Sequence, residues 1–138
     1  MTSAPQTVSV AKKTLVTGYV LTTLVALFLT FDTVMKVLRL APAIQGTTQL
    51  GYAADAVLWI GIIELVGLGL YLVPLTSVLG ALLLTGYLGG AIATHVRVGS
   101  PLLSHTLFPI YVALMLWGGL YLREARLREL LPFRRQRE

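Results

Sequence analysis

Four long apolar stretches alternate with short polar breaks. The first runs from Thr14 to Phe31, and the pattern predicts a helix continuing to about Leu38. Between Val37 and Asp55, Pro42, Gly46, Thr47, Thr48, Gln49 and Gly51 interrupt the apolar run. That stretch is too polar to span a membrane and long enough for a short surface helix. The second apolar run covers about Ala56 to Val73, where Pro74 stops it and Leu75-Thr76-Ser77 leads into the next. So short a connection admits only an antiparallel hairpin. The third run covers about Ser77 to Val96, and Gly99 with Ser100-Pro101 marks the following turn. Ser100 suits the N-cap of a fourth helix and Pro101 its first position. That helix runs over about 101–122 with Pro109 inside it. A helix starting only at Pro109 would reach about 21 Å, short of a bilayer core of roughly 30 Å. The pattern therefore predicts one helix kinked at Pro109, whose missing N–H leaves the His105 carbonyl without its intrahelical partner. The fold class is all-α: an integral membrane four-helix bundle with spans at about 14–38, 56–73, 77–96 and 101–122 and antiparallel up-down neighbours.

Composition sharpens this reading. Hydrophobic residues make up 56 % of the chain and charged ones 12 %, about half the charge of a typical soluble domain. Its 138 residues suit one domain, 1–138. The ends are a polar tail over 1–13 and a basic tail over 123–138 that predicts a short interfacial helix. With no cysteine in the sequence, disulfides, thiolate metal sites and cysteine redox chemistry are excluded. Lys12, Lys13 and the six arginines from Arg123 onward fall on one side of the predicted spans, and Lys36, Arg39 and Arg97 on the other. Eight against three favours cytoplasmic termini, and membrane anchoring explains these basic residues better than nucleic-acid binding. Lys12 and Lys13 before an apolar run, with Ala41-Pro42-Ala43 after it, resemble a signal peptide. The run is too long for one, however, and Asp32, Lys36 and Arg39 interrupt the approach to the supposed cleavage site, so an uncleaved first span is expected.

The third helix carries small residues at helical spacing. Gly86, Gly90 and Thr94 share one face with Gly89 beside them, a pattern that lets membrane helices approach closely. This predicts a packing seam. Tyr87, Ala91 and His95 share the neighbouring face.

Depth makes the polar residues informative. Asp32 and Lys36 lie near the outer end of the first span, Glu64 in the outer half of the second, His95 and Arg97 at the outer end of the third, and His105 one turn into the fourth. Ionisable groups inside spans are costly and usually face the bundle interior or a wet cavity. A polar pocket open to the outer face is expected. Each residue also has a plainer reading. Asp32 and Lys36, four apart, form an ion pair on one face. Arg97 snorkels to headgroups. Glu64 is protonated, or pairs with Lys36 or Arg97. His95 caps its helix, and His105 serves a loop or the kink. Two histidines with Glu64 or Asp32 make an acceptable zinc or iron set, but no metal motif is present, and two histidines are the bare minimum for haem. Neither a metal nor haem is expected, and no nucleophilic triad, phosphate loop or paired-carboxylate pattern occurs.

The sequence resembles the DoxX-like family of small bacterial four-helix membrane proteins. The resemblance rests on Val34-Met35-Lys36, Gln49-Leu50-Gly51-Tyr52, Ile60-Gly61, Leu79-Gly80-Ala81 and Gly86-Tyr87-Leu88-Gly89-Gly90-Ala91. It continues through Ala93-Thr94-His95 with Arg97, Ser104-His105-Thr106-Leu107-Phe108-Pro109, Leu120-Tyr121-Leu122-Arg123 and Leu130-Leu131-Pro132. It covers nearly everything after Leu15. The family takes its name from a subunit associated with quinol oxidation. The resemblance therefore implies a quinone-linked or redox-accessory role in the bacterial inner membrane, with a membrane redox partner protein or a homo-oligomer as partners. The expected function is an accessory or ligand-binding membrane subunit, non-catalytic or only indirectly catalytic; as an enzyme it would be a quinone-linked oxidoreductase subunit. Lys36, His95 and Arg97 would bind a quinone head group, with Glu64, Tyr87 and His105 lining the pocket. A small proton-coupled transporter using Asp32, Lys36 and Glu64, and a purely structural scaffold, are the alternatives.

Overall fold

The computed structural model describes residues 4–131, with side chains from residue 11 onward. Among the described residues every regular element is helical: α1 (Ala4–Val37), α2 (Ala41–Gln49), α3 (Ala56–Leu72), α4 (Ser77–Arg97), a π-helical turn (Leu102–Thr106), α5 (Phe108–Arg123) and α6 (Ala125–Leu130). Three stretches are long and apolar enough to cross a membrane: Ala11–Val37, Ser77–Arg97 and Leu102–Arg123. The apolar helix Ala56–Leu72 is shorter. Large apolar side chains such as Phe31, Trp59 and Leu114 are about two-thirds exposed, as suits a surface solvated by lipid.

α1 is long because nothing breaks it. Proline stands only in its first turn, at Pro5, and Gly18 is its one glycine. The expected polar tail over 1–13 is therefore helical from Ala4 onward, since a first-turn proline favours initiation. The basic tail over 123–138 contributes α6; its residues 132–138, including Arg134 and Arg135, lie outside the described residues.

Three helix ends close in the same way. Arg39, Gly51 and Gly99 take positive φ values of 53°, 87° and 68°. After each, an amide reaches back to the last turn: Leu40 N–H to the Met35 carbonyl, Tyr52 N–H to Thr47 and Ser100 N–H to His95. This is the Schellman closure, in which a left-handed residue lets the chain leave the helix with its last carbonyls satisfied. Glycine fills that place easily; Arg39 does so against its Cβ.

The helices meet through small residues. A Cβ at Gly80 would stand 2.1 Å from the Tyr71 nitrogen, so α3 and α4 pack backbone to backbone there. A Cβ at Gly18 would lie 3.1 Å from the Gly119 carbonyl oxygen, bringing α1 against α5. Further along that pair, Phe28 and Phe108 stack edge to face at 5.3 Å. Trp117 Nε1 donates to Thr85 Oγ1 at 2.8 Å, tying α5 to α4. The core holds Val25, Leu29, Tyr71, Leu84, Leu116 and Leu120, all essentially inaccessible. Tyr71 hydroxyl donates to the Leu116 carbonyl at 2.8 Å and lies 3.4 Å from Thr22 Oγ1, so this buried phenol is satisfied.

Three local expectations are corrected. The chain does not continue as one helix bent at Pro109. The π-helical turn ends at Thr106, and Pro109 sits in the first turn of α5. A missing N–H costs nothing there, because first-turn amides have no intrahelical acceptor. Ser100 does not cap a helix; its hydroxyl pairs with the His95 ring at 3.0 Å. Gly86, Gly89 and Gly90 form no seam within the chain, since a Cβ at each would meet nothing within 4 Å. Thr94, the fourth member of that pattern, is buried and joined to Tyr52 Oη at 2.8 Å.

Candidate functional site

Four polar side chains converge near the end where α1 and α4 finish and α3 begins. α1 supplies Asp32 and Lys36, one turn apart. α3 supplies Glu64, about 12 Å along from its start at 1.5 Å per residue. α4 supplies Tyr87. Lys36 Nζ donates to Asp32 Oδ2 and Tyr87 Oη, both at 2.5 Å, and to Glu64 Oε2 at 3.0 Å. Tyr87 hydroxyl donates to the same Glu64 oxygen at 3.0 Å. All three ammonium protons thus have acceptors. Glu64 is fully buried and its Oε1 has no partner, whereas Asp32 is about one-third exposed.

Gly61 makes this convergence possible. A Cβ there would stand 2.7 Å from Lys36 Cβ and 3.1 Å from the Val37 nitrogen. The bare glycine lets α1 lie directly on α3 one turn before Glu64, so the lysine reaches the carboxylate across a short gap. Its signal in the sequence was a glycine inside an otherwise apolar helix, which marks close backbone approach.

Beside the cluster lies a hollow of about 560 Å³. Its wall is mainly apolar, with Phe28, Leu29, Ile60, Phe108 and Val112 among the lining side chains. Asp32, Lys36, Tyr87, Thr94 and His95 bring polar groups to it, and Gly86 and Gly90 border it. The glycines keep this wall thin instead of serving as a helix seam. A second hollow, of about 660 Å³, lies between the ends of α1 and α4, α2 and the π-helical turn. Asp32, Lys36, Thr47, Leu50 and His95 line both.

The remaining residues divide between these spaces and the surface. His95 and His105 rings face each other edge to face, 5.9 Å between centroids. Each Nδ1 meets a serine hydroxyl: Ser100 at 3.0 Å for His95 and Ser104 at 2.8 Å for His105. His105 lines only the second hollow. Arg97 is exposed and stays out of the cluster. Its Nη2 donates to the Leu50 carbonyl at 2.6 Å, in space that Gly51 leaves by lacking a Cβ. Among the described residues no three His, Asp or Glu side chains gather as a metal-ligand group. The Tyr52–Thr94 hydroxyl pair at the wall was not singled out from sequence, because the two residues are 42 positions apart.

The DoxX-like family model matches residues 20–119. The chain belongs to the DoxX-like family. The matched region contains all of the cluster and the residues of both hollows. No curated protein and no solved structure matches it. The cluster of this DoxX-like protein is thus an ion-pair network beside a mainly apolar hollow. It can hold charge away from lipid and present hydrogen-bonding groups to a molecule lodged next to it.

Proposed function

We propose that this DoxX-like protein is an accessory membrane subunit that holds a quinone-like molecule in the 560 Å³ hollow and docks onto a membrane redox partner. In this reading α1, α3, α4 and α5 cross the bacterial inner membrane as an antiparallel four-helix bundle with both termini cytoplasmic. Opposed pairing supports that arrangement: Gly18 meets Gly119 while Phe28 meets Phe108, and Gly80 meets Tyr71 while Gly67 meets Leu84.

The observation that carries the proposal is the hollow itself. Small-molecule sites are concave and mostly apolar, with a few convergent polar groups. A ring and its tail fit the wall of Phe28, Leu29, Phe108 and Val112, while carbonyl oxygens face Lys36, Tyr87, Thr94 and His95. The test is equilibrium binding of decylubiquinone to the protein in nanodiscs. Wild type binds saturably, and a Lys36→Ala/His95→Ala variant loses at least tenfold in affinity. Equal affinity in the two proteins refutes the reading.

One observation favours a structural alternative. Every proton of the Lys36 ammonium is already taken by Asp32, Glu64 and Tyr87. A scaffold role predicts that cluster substitutions change stability while decylubiquinone binds to neither protein. A proton-coupled transporter, using the same Asp32, Lys36 and Glu64, predicts pH-driven substrate flux in proteoliposomes.

A further inference from the structure

α2 is held unlike the long helices. Within Ala41–Gln49 only Thr47 is buried. Nine residues are too few for an isolated helix to persist in water, so its placement depends on outside ties. Three are present. Arg39 Nη2 bridges to Asp55 Oδ1 at 2.6 Å, Arg97 Nη2 donates to the Leu50 carbonyl at 2.6 Å, and Tyr52 Oη pairs with Thr94 Oγ1 at 2.8 Å. The first two are exposed, where such contacts are weak.

The ends of α2 are equally distinctive. Arg39 precedes it and Gly51 follows it, and both are left-handed. Each link carries one left-handed residue close to α2, so rotation at those two positions moves α2 while α1 and α3 stay packed, as in a hinge. What α2 covers is also specific. Thr47, in its last turn, and Leu50, just beyond it, line both hollows. Swinging α2 outward removes that partition and joins the two spaces.

From this geometry we infer that α2 is a hinged flap over the hollow, pivoting at Arg39 and Gly51 and latched by Arg97 at the Leu50 carbonyl. The inference builds on the ligand-hollow reading, naming how that site is opened, and its test separates the two. The protein has no cysteine, so nitroxide labels can be placed without removing native thiols. One pair joins Gln45 on α2 to Leu103 on the π-helical turn; a control pair joins Leu27 on α1 to Leu114 on α5. All four positions are exposed. Pulsed dipolar spectroscopy in nanodiscs should give two distances for the α2 pair and one for the control. Arg97→Ala should raise the ratio of longer to shorter distance about fivefold, a hydrogen bond to a charged group discounted for exposure. Arg97→Lys, which keeps a charge and is gentler on folding, should shift it the same way by less, and Tyr52→Phe, beyond the Gly51 pivot, should leave it unchanged. A single α2 distance, unmoved by both Arg97 substitutions, overturns the flap. Decylubiquinone at saturation provides the second readout. A substitution-sensitive flap with no decylubiquinone binding upholds the flap and refutes the ligand reading. Saturable binding with α2 distances fixed in all four proteins does the reverse.

Discussion

Replacing Lys36 by methionine isolates the interaction at the centre of the cluster. Methionine keeps the length and flexibility of the lysine stem and removes the ammonium. In the wild type, Glu64 Oε2 receives that ammonium and the Tyr87 hydroxyl, each at 3.0 Å, while Oε1 receives nothing. After substitution the fully buried carboxylate keeps one neutral donor. Removing one member of a buried pair leaves an uncompensated charge and costs about 3–5 kcal/mol. At about 3 °C per kcal/mol for a chain of this size, the unfolding midpoint should fall by about 10 °C. Thermal unfolding in detergent, followed by the fluorescence of Trp59 and Trp117, measures this. Adding Glu64→Gln removes the stranded charge, so the double variant should recover at least half of the loss. The coupling in a double-mutant cycle should then be about 2 kcal/mol or more. A Lys36→Met midpoint within about 2 °C of wild type, or strictly additive single effects, would show that the ammonium does not hold Glu64.

Other substitutions test the packing and the hollow separately. Gly80→Ala drives a methyl into the α3 backbone at Tyr71 and should lower stability by about 3 kcal/mol or abolish folding; yield of monodisperse protein and unfolding midpoint report it. Gly86→Ala and Gly90→Ala meet no atoms within 4 Å, so they should hold or raise the midpoint through a helix preference of up to about 1 kcal/mol each. Both should nevertheless weaken decylubiquinone binding, because their methyls enter the hollow. Tyr71→Phe removes the hydroxyl bonded to the Leu116 carbonyl and should cost about 1 kcal/mol by the same unfolding assay. Arg39→Gly relieves a left-handed arginine, gaining about 1 kcal/mol, and loses an exposed bridge to Asp55 that is worth about the same or less. Its midpoint should stay level or rise.

The punctuation of the helices was legible because it is written in local chemistry. Pro74 and the glycines at 51 and 99 mark ends whose backbone needs those residues, and Lys36 and Glu64 announced themselves as costly groups inside apolar runs. Rotation about each helix axis was not legible. In a soluble helix, polar residues mark the outward face. In lipid, the outward and inward faces are equally apolar, so Gly86 and Gly90 read as a seam when they border a hollow. Arg97 carried two readings, snorkelling to headgroups or facing the pocket, and it lies exposed, outside the cluster. Arg39 hid a helix closure that glycine would have advertised. The break before Pro109 depends on a π-helical turn, for which Leu102–Thr106 carries no distinctive composition. Gly61 was visible, but its meaning required knowing that Lys36 sits opposite.

The 17 residues of α3 rise only about 26 Å, against a hydrocarbon layer of roughly 30 Å. In the four-span arrangement its flank is too short for the lipid around it, while α1 and α4 are not. If α3 crosses as proposed, acyl chains beside it compress by several ångströms, drawing headgroups and water nearer to the level of Glu64 on its flank. Such thinning would give the molecule a preferred place at edges between thick and thin patches of membrane. Reconstitution into bilayers of graded acyl length should therefore find it most stable in the shorter ones.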